Sequence, residues 1–66
     1  METIKLNQKE KAFLLQAHQD TLALSDAIRN LIDQPEESKD YVWDLKNKTA
    51  EIEAVLYNIH HGVYRS

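Results

Sequence analysis

Two stretches of this chain carry the same step of apolar residues, and that repetition constrains the fold more than anything else in it. Residues 14–31 place Leu14, Ala17, Thr21, Leu24, Ile28 and Leu31 at alternating steps of three and four. Residues 42–59 place Val42, Leu45, Thr49, Ile52, Leu56 and Ile59 at the same steps. This is the period of a helix that packs along a seam with another helix. Written antiparallel, the two sets pair with a constant sum of position numbers: Leu31 with Val42, Ile28 with Leu45, Leu24 with Thr49, Thr21 with Ile52, Ala17 with Leu56 and Leu14 with Ile59. Three of these layers set a small or polar residue opposite a larger one, as close packing requires. The expected fold class is all-α, an antiparallel two-helix hairpin.

The helix ends are written in the intervening residues. Asn7 is a good N-cap and Glu10 follows three residues later, which predicts a capping box. Leu6 and Lys11 make no hydrophobic staple, so the motif is partial. Helix 1 is expected over about 8–33, since neither Gly nor Pro interrupts it. The turn falls at about 34–37, where Pro35 biases Gln34 away from the α region. Pro35 can open helix 2 as its first residue, or Ser38 can cap it. Helix 2 is expected over about 38–61, with Gly62 at the position after the C-cap, where positive φ is common. A turn this short implies antiparallel neighbours.

The chain of 66 residues is one small domain, and it holds one Gly, one Pro and no Cys. Disulfides and cysteine-based zinc sites are excluded. The first residues lack the apolar core of a signal peptide, and nothing reads as a membrane span. A cytoplasmic location is expected. The net charge of −3 argues against general duplex-DNA binding, which calls for a strongly basic face. It is also too mild for a mimic of DNA.

Two helices with one seam bury too little to offset the ordering of nearly the whole chain, and no metal or disulfide helps. Self-association is the expected remedy, as a homodimeric four-helix bundle. Apolar residues off the seam support this. On helix 1 they include Leu15, Leu22 and Ile32, and on helix 2 Trp43, Ala50, Ala54 and Tyr57. The turn carries Asp33, Glu36, Glu37 and Asp40, whereas the open end carries Lys5, Lys9, Lys11, His60, His61 and Arg65. An antiparallel dimer would set these unlike ends together, with an effect that salt screens.

The residues offer little chemistry. His60 and His61 are neighbours on a helix and point about 100° apart, a poor chelate; in the last turn they favour the helix dipole instead. No metal or other cofactor is expected. The serines Ser25, Ser38 and Ser66 lie outside any nucleophile motif, and there is no glycine-rich phosphate loop. Neither catalysis nor a small-molecule substrate is expected. The more informative set is Trp43, Ala50, Tyr57 and Tyr64, seven residues apart, with Leu15 and Leu22 on the other helix. Aromatic rings of this kind anchor protein interfaces. The set reads as a docking strip for a partner protein or as part of the homodimer. Thr21 and Thr49 sit inside the seam, where each can bond back to the preceding turn and fix register.

The layout resembles that of Rop, a plasmid copy-control family, in chain length, two helices, a short turn and layered small–large pairs. The resemblance implies an antiparallel dimer that binds paired RNA loops. It rests on architecture and on no shared motif, so it assigns no RNA-contact residue. The leading expectation is a small non-enzymatic regulator or adaptor acting through protein–protein contact. The alternative is an RNA-binding regulator using Lys5, Lys9, Lys11, His60, His61 and Arg65, with Tyr64 and Phe13 near for stacking.

Overall fold

A computed structural model describes residues 3–65. It is an all-helical hairpin: α1 spans Gln8–Ile32 and α2 spans Lys39–His60. The expected capping box opens α1. Asn7 Oδ1 accepts from the Glu10 N–H at 2.7 Å, and the Asn7 N–H donates to Glu10 Oε1 at 3.0 Å. Asp33 caps the other end, and its N–H donates to the Asn30 carbonyl at 3.2 Å. Of the two readings open for Pro35, the structure takes the second. Pro35 lies in the non-helical connection, and Ser38 Oγ accepts from the N–H groups of Asp40 and Tyr41 at 3.1 and 3.4 Å.

The C-terminus of α2 closes with a Schellman motif. The Val63 N–H donates to the Asn58 carbonyl at 2.9 Å, and the Gly62 N–H donates to that of Ile59 at 3.2 Å. Gly62 sits at φ +71°, the left-handed region that a Cβ disfavours. The reversal at Gly62 turns the last residues back toward α1 and so decides what Tyr64 and Arg65 can touch.

The molecule measures 46 × 23 × 16 Å. A helix with its side chains is about 10–12 Å across, so the hairpin is a single layer of two helices and both broad faces meet solvent. Among the described residues, Ala17 and Ile59 are the buried apolar ones. The expected seam is divided. Ala17, Leu24 and Leu31 on α1, and Leu45, Ile52 and Ile59 on α2, are buried or half-buried. The interleaved Thr21, Ile28, Val42, Thr49 and Leu56 are exposed, and Ala27 and Val55 are half-buried in their stead. The contact stripe is rotated from the expected one: it runs through Ala17, Leu24, Ala27 and Leu31 on α1 and through Leu45, Ile52, Val55 and Ile59 on α2, so the other half of the expected seam falls at its edge.

Thr21 and Thr49 each donate to the carbonyl four residues back, Ala17 and Leu45, at 2.7 and 3.2 Å. Their hydroxyls are thus satisfied locally. No helix among the described residues is long and apolar enough to cross a membrane.

Candidate interaction surface

Toward the turn, the exposed edge of the seam opens into a groove of about 490 Å³ between the helices. Its floor is Leu24, Ile28, Leu31, Val42, Leu45 and Thr49, the three expected layers nearest the turn. Ile28 is 47% exposed and Val42 49%. Lys46, Ala50 and Glu53 form its rim on the α2 side.

Of the sequence-derived docking strip, Ala50 lines this groove, with Trp43 and Tyr57 one heptad to either side of it on α2. Trp43 and Tyr57 are 60% and 64% exposed, and Ala50 between them is exposed as well. The Lys46 amine rests 4.6 Å from the centre of the Trp43 ring, a cation–π contact that holds the indole against its own helix. The Tyr57 and His61 rings stand 4.2 Å apart. Leu15 and Leu22, at 59% and 54% exposure, lie on α1 away from the groove floor.

Tyr64 is the member that leaves the strip. The heptad spacing extends to it only while the helix continues, and α2 stops at His60. After the reversal at Gly62 its ring stacks on Phe13 at 4.2 Å and 14°. Its hydroxyl accepts from Asn58 Nδ2 at 3.0 Å.

The basic end is likewise rearranged. Arg65 Nε donates to Glu10 Oε2 at 2.9 Å, and Arg65 Nη2 donates to the Lys5 carbonyl at 2.7 Å. The Glu10 side chain has no exposed surface, although its cover is thin, since Asn7 is exposed and the Arg65 side chain is 38% exposed. The hydrogen bond from Arg65 holds the Glu10 carboxyl below the ordinary carboxylate range, and the Asn7 N–H adds to the effect. The same bond raises Arg65. One of the six cationic positions is therefore turned inward onto a carboxylate. Lys5, Lys9, Lys11, His60 and His61 remain exposed. The rings of His60 and His61 stand edge to face at 4.8 Å, and no cluster of three His, Cys, Asp or Glu among the described residues is placed to hold a metal ion.

Sequence reasoning used Glu10 as a helix cap and Arg65 as a surface charge, and did not link the two. The signal that links them is Gly62, because a Schellman reversal must send the next residues back across the hairpin end. Comparison with protein families, with characterised proteins and with solved structures finds no match. The resemblance to Rop stays one of layout.

Proposed function

We propose that this chain is a small non-enzymatic regulatory or adaptor protein that acts through protein–protein contact, as a homodimeric four-helix bundle. One observation carries the reading: half of a regular helical seam faces solvent as an apolar groove in a single-layer molecule. An exposed stripe in register with the packed one is the complement of another helix pair. In the dimer the grooves close on each other. Trp43 and Tyr57 then border the closed groove and remain the rings best placed to anchor a further protein.

Light scattering over a dilution series to low micromolar concentration tests the dimer, and a stable mass of two chains is expected. A folded monomer throughout would remove it. The adaptor reading is tested by a W43A/Y57A double variant that keeps the wild-type mass. It is expected to lose proteins that the wild-type chain retains from a cell lysate, and unchanged retention would sink that part. The RNA-binding alternative is weakened by Arg65, whose guanidinium is engaged by Glu10 and the Lys5 carbonyl.

A further inference from the structure

The rim of the groove carries a charge pattern that becomes its own complement after reversal. Helix α2 spans Lys39–His60, so its midpoint falls between Thr49 and Ala50. Lys46 and Glu53 stand at equal distances on either side of that point, and both line the groove. Seven residues along a helix is about 10 Å, too far for the two to pair with each other. Among the described residues neither takes part in an ion pair. Between them lies Ala50, a side chain small enough for a second helix to approach closely.

From this we infer the occupant of the groove and its orientation, resting on the dimer reading above: a second copy of this chain, with the two α2 helices antiparallel about a two-fold axis at Thr49 and Ala50. A two-fold contact presents the same patch from both sides, so each residue before the axis meets one after it. Lys46 meets the partner's Glu53, and Glu53 meets the partner's Lys46. These are the flanking positions where bundles place interhelical ion pairs. The same axis sets the partner's Leu56 at the level of Trp43, over the hollow beside Val42. Leu56 is 54% exposed in the hairpin, so it supplies apolar volume where the groove lacks it.

The parallel arrangement does the reverse. It sets Lys46 against the partner's Lys46 and Glu53 against the partner's Glu53. It also brings together two turns bearing Asp33, Glu36, Glu37 and Asp40. In the antiparallel arrangement each acidic turn lies beside the partner's Lys5, Lys9 and Lys11. End charges and rim charges select the same orientation by independent routes.

The test is charge reversal on the full chain, read by light scattering and by helicity over a dilution series at low salt. K46E alone makes both cross-axis pairs acidic, and E53K alone makes both basic. Each is expected to weaken self-association by roughly tenfold, since two modest attractions become two repulsions. The deficit should shrink at high salt. An equimolar mixture of K46E and E53K restores both attractions, and it is expected to regain the wild-type mass even where either variant alone loses its helicity. Variants that dimerise as tightly as wild type, or a mixture that recovers nothing, would overturn this orientation while leaving the dimer standing. A wild-type chain that is monomeric throughout would overturn both.

Discussion

The two ends of the hairpin are built to different standards. At the open end, Ala17 and Ile59 are buried, Phe13 stacks on Tyr64, and Arg65 ties Glu10 to the Lys5 carbonyl. Toward the turn, the same helices enclose a groove, and Ile28 and Val42 are about half exposed. The seam pattern is equally regular in both halves, so the difference does not come from apolar periodicity. It comes from what lies beyond the helices. The open end has a returning segment that folds over it, while residues 33–38 make only a local connection. A hairpin of this size can fold its own chain over one end, although Leu56 stays 54% exposed there, and has no such segment at the other.

The largest test of that contrast lies in the finished half. Ile59 is 7% exposed, and Ile59→Ala removes buried methylenes from a place with little room to collapse. A loss of about 2–5 kcal/mol is expected in urea or thermal unfolding, whatever the oligomeric state. A loss below about 1 kcal/mol would mean that the closed end is no better packed than the groove.

The matching substitution in the unfinished half is Ile28→Ala. In an isolated hairpin this half-exposed side chain would contribute little, because water already reaches it. In the proposed dimer it becomes core, and the expected cost is roughly 1–3 kcal/mol, accompanied by a lower mass on dilution. Stability that falls without any change in mass would place the loss inside the hairpin and break the contrast.

That pair of positions also shows what was legible in advance. The seam and the layers nearest the turn follow from spacing alone, because a helix of fixed period converts sequence position into direction. The cap at Asn7 and the reversal at Gly62 follow from side-chain and backbone chemistry within four residues, whereas Ser38 and Pro35 leave two readings open for the start of α2. The division of the seam was not legible. Spacing places Ile28 and Leu31 on one stripe and is silent on how many helices will cover it. The closure at the open end was hidden for another reason. Glu10 and Arg65 are 55 residues apart in the chain, and their meeting depends on where α2 stops and how the chain turns there. Tyr64 shows the cost of extending a heptad past a helix end: a ring assigned to the docking strip belongs to the opposite contact. For the candidate surface, Trp43, Ala50 and Tyr57 share a line by spacing. That Lys46 and Glu53 border a groove emerges only once the helices are placed.

The smallest effect expected concerns acid, and it separates the two ends by charge instead of packing. The Glu10 carboxyl is held below its ordinary range chiefly by the Arg65 guanidinium, then by the Asn7 N–H. A group whose folded-state value is depressed adds stability that is fully present above its unfolded value, about 4.3 for glutamate. That contribution is lost as pH falls through the lower folded value. Wild-type Tm should therefore decline on acidification through this window. Glu10→Gln keeps one acceptor oxygen for the Asn7 N–H, but sets its amide NH2 toward the Arg65 guanidinium and cannot titrate, so its Tm should start lower at neutral pH and approach the wild-type curve as acid is added. The exposed partners and thin cover of Glu10 keep the difference small, because solvent and salt screen such a pair. Curves that stay parallel down to low pH would show that Glu10 holds the end by packing and capping alone, and that Arg65 contributes through its bond to the Lys5 carbonyl instead of its charge.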